Sequence, residues 1–205
     1  MVMTRPGASL SELLLQAGAH TDVSDADAGV YRAALKVLGA TGTRRTTVEA
    51  IAAECGMSRM TLFRRFGSKD EILAAALAWS LNRLFAQTID VVAATPDVAE
   101  RIQEVFVLCC RFGRSLLPTS SPDERAALFA DERLDPVGHG IRFITAIMAQ
   151  EQEAGNVPAG DTEIRADALV RITAACFAIA PAPFDLEDDD AARAYARAAL
   201  VPLVR

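Results

Sequence analysis

The sequence predicts an all-α protein, with an N-terminal three-helix helix-turn-helix unit followed by a larger helical body. Three observations carry this. Apolar residues recur at three- and four-residue steps through most of the 205 residues. Ser, Thr, Asp or Pro stands at the start of nearly every such segment. Strand-type alternation is absent, and no internal repeat is visible.

The elements follow in order. Residues 1–23 read as an arm in which Pro6, Gly7 and Gly18 break any long pattern, although Leu10 to Gln16 allows a helical turn or two. A first helix opens at Ser24, with Asp27 three residues later, and carries Val30, Tyr31, Ala34, Leu35 and Leu38 before Gly39 and Gly42 end it. Thr46 followed by Glu49 reads as a capping box for a short second helix bearing Val48, Ile51 and Ala52, which stops at Gly56. Ser58 caps a third helix with Leu62, Phe63 and Phe66. Ser68 with Glu71 opens a long fourth helix with Ile72, Leu73, Ala76, Leu77, Leu84 and Ile89. Further helices are expected over 99–117, from Pro122 to near Asp131, and over about 135–154, 161–179 and 188–204, with Pro181 and Pro183 separating the last two. The chain thus divides into the arm 1–23, a head 24–70 and a body 71–205.

Composition narrows the function classes. With 51% hydrophobic and 23% charged residues, the chain belongs with globular proteins and not with disordered ones. The apolar stretch from Ile172 to Phe184 is short and proline-broken, against the ~20 residues that a membrane span needs, so no membrane partner is expected. Arg5 alone, with Glu12 interrupting the early leucines, is a poor secretory signal, and the expected location is cytoplasmic. Cys55, Cys109, Cys110 and Cys176 show neither C-x-x-C spacing nor a nearby histidine, which leaves no expectation of a metal, a cofactor or a disulfide framework.

The net charge of −6 does not advertise a polyanionic partner, but its distribution does. Between Val30 and Asp70 eight basic residues stand against three acidic ones, a local charge of +5 that leaves −11 for the remainder. One end can meet phosphates while the body is repelled by them. Two short helices around Gly56-Met57-Ser58 have the sequence form of a helix-turn-helix: Gly56 tolerates positive φ, and Ser58 caps the exposed amides.

Thr46-Thr47-Val48 through Ile51-Ala52, then Gly56-Met57-Ser58, Thr61-Leu62-Phe63, Phe66 and Ser68-Lys69-Asp70-Glu71-Ile72-Leu73, closely resemble the DNA-binding signature of TetR/AcrR transcriptional regulators. The resemblance covers about residues 30 to 75. It implies that Arg59, Met60, Thr61 and Arg64 face base edges, with arginine suited to guanine and threonine's methyl to thymine. It implies phosphate contacts from Thr47, Arg65 and Lys69, to which Arg44 and Arg45 can add. The family usually carries tyrosine where this chain has Phe63, so that hydroxyl's phosphate contact is expected to be lost. Leu62, Phe66, Ile51 and Ala52 are expected to be core.

For the body, the resemblance implies a homodimer built on the terminal helices, with Ile172, Cys176, Ala192, Tyr195, Ala196, Ala199 and Leu203 as candidate interface. Two recognition helices about 34 to 36 Å apart would then read a palindromic operator in double-stranded DNA. A small-molecule effector, apolar or aromatic, is expected among Trp79, Phe106, Cys109, Phe112, Phe129, Phe143 and Met148, and its binding releases the repressor from DNA. The alternatives are a helical interaction module with a vestigial helix-turn-helix, and a thiol-dependent enzyme using Cys109 or Cys110 with His139, for which no nucleophile motif or metal spacing speaks. Cys109 and Cys110 also invite a redox-sensor reading, against which simple buried packing is favoured.

Overall fold

The computed structural model describes residues 23–116, 122–129, 135–179 and 184–205. Nearly all of the arm, with Arg5 and His20, lies outside them, as do Leu117, Asp131, Pro181 and Pro183. The described residues form helices α1 (Asp25–Thr41), α2 (Val48–Cys55), α3 (Arg59–Phe66), α4 (Lys69–Ala94), α5 (Val98–Leu116), α6 (Pro122–Phe129), α7 (Pro136–Glu153), α8 (Thr162–Ala178) and α9 (Asp189–Ala199). A 3-10 turn, Val201–Leu203, follows. No strand occurs among the described residues.

Caps set most boundaries. Ser24, Ser58 and Ser68 accept the N–H of Asp27, Thr61 and Glu71, and Asp135, Asp161 and Asp188 do the same for α7, α8 and α9. At α4 the box is reciprocal: the Glu71 carboxylate accepts the Ser68 N–H at 2.7 Å, which holds its pKa below the usual carboxylate range.

Three sequence expectations need correcting. The cap of α2 is Thr47, whose hydroxyl accepts the Ala50 N–H at 3.1 Å, while Thr46 is buried and donates to the Gly42 carbonyl at 2.8 Å. Glu49 therefore stands one position too early to complete a box. Gly39 lies buried inside α1, which runs on to Gly42 at φ 74°. The last helix stops at Ala199, because Pro202 cannot donate to an α-helical ladder and the chain tightens into the 3-10 turn.

Two cores result. The head core gathers Val30, Ala34 and Leu38 of α1, Ile51 and Ala52 of α2, Leu62 of α3, and Ile72, Leu73 and Ala76 of α4. The body core packs Phe106, Val107 and Cys110 of α5 against Ala192, Ala196 and Leu200. The small alanines let α9 approach α5 closely, and ion pairs stitch the same contact: Arg111 and Arg114 meet Asp189, and Arg193 lies 2.6 Å from Glu104. By length and composition α4 is apolar enough to cross a membrane, but its apolar side chains are divided between the head core and the body. Leu116 of α5 packs on the head core, so head and body also meet through α1 and α5.

Two glycines give a matched test of the backbone. Gly29 sits in α1 with nothing near a built Cβ, and Gly56 also has open space but holds φ +70°. Gly29→Ala should stabilise by about 1 kcal/mol and Gly56→Ala should destabilise by about 1 kcal/mol. Urea unfolding midpoints shifting in opposite directions are the expected result.

Candidate nucleic-acid interface and ligand cavity

The head builds its surface from the turn between α2 and α3. Gly56 takes the left-handed conformation, φ 70° and ψ 23°, and the Met57 N–H reaches back to the Ala52 carbonyl at 2.9 Å. This reversal puts α3 across α2. Ser58 accepts the Thr61 N–H at 3.1 Å and lies 2.8 Å from the Thr61 hydroxyl, which fixes the first turn of α3.

The two sides of α3 then differ in kind. Leu62 is fully buried, and Phe66 packs edge-on against Tyr31 at 5.9 Å. Opposite them Met60 is 73% exposed and Phe63 57% exposed, in the company of Arg59 and Arg64. Large apolar side chains are seldom left in water without a use, and arginine beside them is the mixture that meets base edges and phosphates.

The basic residues are not equally free. Arg59 lies 2.8 Å from Glu49 on α2, with both side chains more than half exposed. Arg65 lies 2.9 Å from Asp27 on α1 and covers the Phe66 ring at 5.5 Å. Lys36 joins Glu54 at 2.6 Å, so each of these three pairs ties two head helices together. Exposed pairs of this kind contribute about 0 to 1 kcal/mol, so Arg59 can leave Glu49 for an anion at little cost. Thr47 is exposed at the start of α2, and Lys69 at the start of α4 donates to the Thr43 carbonyl at 3.3 Å, beside the exposed Arg44 and Arg45. Arg45 is steadied by donation to the Thr41 carbonyl at 3.0 Å. Asp27 and Glu49, which position two of the arginines, were missed in the sequence; the second was hidden by its resemblance to a capping-box glutamate.

The body holds a half-open cavity of about 1030 Å³ between α4, α5, α6, α7 and α8, with the segment from Phe184 to Glu187 also in its lining. Phe106, Cys109, Phe112, Phe129, Phe143 and Met148 all line it. Trp79 does not: it sits higher on α4, 5.9 Å from Tyr31 with Arg83 over its ring, where α4 is still packing on the head. Gly113 is a needed gap, since a Cβ there would lie 2.5 Å from the Phe177 ring, which stacks with Phe129.

The candidate dimer residues also divide. Ala192 and Ala196 are wholly buried within the subunit's own core, so they have no surface to offer a partner. Tyr195 stacks on Phe106 at 5.5 Å, Cys176 lines the cavity, and Ile172 and Leu203 are partly buried against the same core. For Ala192 and Ala196 the periodicity is that of an internal face. Ala199, at the end of α9, keeps partial exposure.

Burial pushes the Cys109 thiol up to about 12 and the Cys110 thiol to about 11. Thiols so far above neutral pH are poor nucleophiles and poor redox sensors. His139 stands in the first turn of α7, its ring 2.8 Å from the Asp135 carbonyl, and its role is local. Among the described residues no group of three or more His, Cys, Asp or Glu side chains is placed to hold a metal.

A capped helix presenting arginine and apolar side chains after a glycine turn has the architecture of a helix-turn-helix unit, set beside a separate cavity-bearing body. Residues 30–76 match the family described as bacterial regulatory proteins, tetR family. Over 66 residues it is 38% identical to the HTH-type transcriptional repressor KstR2 of Mycobacterium tuberculosis; the match covers 32% of this chain and spans 33% of that relative's length. Solved structures extend the likeness of fold to the body. Salmonella enterica GusR aligns at TM-score 0.64 with 17% identity, over 89% of this chain and 98% of its own. The fatty acid degradation regulator FadR of Bacillus halodurans aligns at 0.62 with 13% identity, over 89% and 96%. The ketosteroid transcriptional regulator KstR2 aligns at 0.55 with 21% identity, over 90% and 97%.

The buried thiols make a direct prediction. At pH 8 a thiol with pKa about 12 has on the order of a thousandfold less thiolate than an ordinary cysteine. Cys109 and Cys110 should therefore resist Ellman's reagent in the folded protein and react at once in guanidinium, as followed by peptide mapping. Rapid labelling of both in the folded state would restore the redox-sensor reading.

Proposed function

We propose that the protein is a homodimeric repressor that binds a palindromic operator and leaves it when a small molecule fills the body cavity. The observation that carries this is the exposed face of α3, where Arg59, Met60 and Arg64 project from a helix whose other side is locked into the head core. Arg59, Met60, Thr61 and Arg64 are assigned to base edges. Thr47, Arg65 and Lys69, with Arg44 and Arg45, are assigned to phosphate. Thr61 offers its methyl group, since its hydroxyl already lies against Ser58. Phe63 replaces a hydroxyl with an exposed ring and adds to the apolar contact.

Dimerisation is assigned to the outer faces of the last two helices. Ile164 on α8 is 67% exposed, and Ala168, Ile172 and Ala175 follow it at three- and four-residue steps with partial cover. A two-fold axis through such a face gives the paired heads that a palindrome requires. The cavity supports the effector: it is large, mostly apolar and built on the same α4 that enters the head core. The protein is placed in the cytoplasm, with its operator.

Titration onto labelled DNA from upstream of its own gene, against scrambled DNA of equal length, tests the reading. Selective binding at about 10⁻⁸ M or tighter that weakens as salt rises is expected. Arg64→Ala should cost about 1–3 kcal/mol and relax preference at one base pair, whereas Arg44→Ala should weaken all sequences alike and lower the salt slope by about 1. Light scattering should give twice the chain mass; a monomer at micromolar concentration sinks the dimer.

A further inference from the structure

The proposed effector site has an internal charge balance that limits what it can hold, and this inference rests on the ligand-responsive reading above. We propose that the cavity takes an uncharged apolar molecule and discriminates against carboxylates and other anions. Three cations reach its wall, and each is already engaged by this chain. Arg101 Nη1 lies 2.7 Å from the Glu151 carboxylate, an ion pair without an aligned hydrogen bond, with both side chains 16% exposed, and its Nε donates to the Thr95 carbonyl. Arg114 donates to the Leu186 carbonyl at 2.8 Å and to Asp189 at 3.3 Å. Arg125 donates to the Phe177 carbonyl at 2.7 Å.

The neutral polar groups of the wall are turned inward in the same way. The hydroxyls of Thr88 and Thr173 donate to their own helix, at 2.9 Å to Leu84 and 2.8 Å to Leu169. Burial keeps Cys109 and Cys110 as uncharged thiols. In the lining of the cavity stand Asp185 and Glu187, both exposed and both acidic. An anion meets these two carboxylates on the lining, must shed its water, and finds each arginine already paired or donating within this chain, a costly way to enter an apolar site. An uncharged molecule leaves the pairs intact and gains from apolar burial alone. Stacked rings, Phe85 on Phe143 at 4.4 Å, supply flat walls for it.

Decan-1-ol and decanoate share a chain and differ in charge, so displacement of Nile red from the full-length protein at pH 8 reads the preference. The alcohol should displace the dye at a concentration at least tenfold lower. Intrinsic hydrophobicity also favours the alcohol, so the deciding measurement is the change in that ratio in Glu151→Gln. This variant frees Arg101 and should move the ratio towards decanoate at least tenfold. If Glu151→Gln fails to fold by circular dichroism, Ile147→Lys, which adds a cation to the wall, should move the ratio in the same direction. Decanoate binding the wild type as well as the alcohol, or an unchanged ratio in a folded variant, overturns the proposal while leaving an effector-controlled repressor in place. Binding of the alcohol with the expected ratios but no release of operator DNA supports the ligand class and removes the effector reading. Nile red failing to bind, with neither compound shifting the melting temperature, overturns both.

Discussion

Both halves of this molecule depend on one helix. The 26 residues of α4 extend about 39 Å. Its first turns insert Ile72, Leu73 and Ala76 into the head core, and its later turns present Leu84, Phe85, Thr88 and Val92 to the cavity. The head core does not close without it, and the cavity loses one wall. The reciprocal cap of Ser68 and Glu71 fixes where this rod begins, and the depressed pKa of Glu71 gives the cap a direction in pH. Its contribution is present above the unfolded pKa of the carboxyl and is lost as pH falls through the lower folded value. Lys69, on the same turn, faces the loop that bears Arg44 and Arg45.

Charge is handled differently at the two ends. In the head the acid partners of Arg59 and Lys36 sit in water, where an ion pair is weak and readily exchanged for a phosphate. In the body Arg101 and Glu151 are mostly withdrawn from solvent, and breaking such a pair strands a charge in a poor solvent. The same residue types therefore serve opposite ends. Loose pairs orient arginines that have another partner to meet, while tight ones close off arginines that do not. The wider asymmetry, +5 in residues 30–70 against −11 elsewhere, makes the head the end that attracts a polyanion.

The head was legible in the sequence because its information is local. A capping serine, a glycine at positive φ and a three- or four-residue apolar step each act within one turn, so Ser58, Gly56 and Leu62 stand where their types require. Adjacent threonines defeated the same reasoning at α2: Thr46 and Thr47 both suit a cap, and burial against the Gly42 carbonyl decides between them. The body was less legible, because periodicity marks a buried face without naming what covers it. Ala192 and Ala196 show the spacing of an interface and are buried against their own α5. Trp79 has the size of a pocket residue but lies on the stretch of α4 that still faces Tyr31. The arginines of the cavity wall left no local trace at all, since their partners are distant in sequence: Glu151 for Arg101 and Asp189 for Arg114.

Leu116 makes the junction of head and body more than a hinge of bare backbone. Its side chain packs on the head core and also belongs to the cavity wall, at the end of the α5 that carries Phe106, Cys109 and Phe112. Under the proposed ligand response, a molecule filling the cavity would press on two helices, α4 and α5, each of which reaches the same small head core. Close-packed interiors pass displacement on because they have few voids to absorb it. Carrying a two-state equilibrium from 1:99 to 99:1 requires about 5.5 kcal/mol of differential binding. Exposed surface pairs are too weak for that; burial of an apolar ligand contributes about 25 cal/mol for each Å² removed from water, of which only the share that differs between the two states counts. The apolar cavity and the doubly anchored helices are thus matched in position.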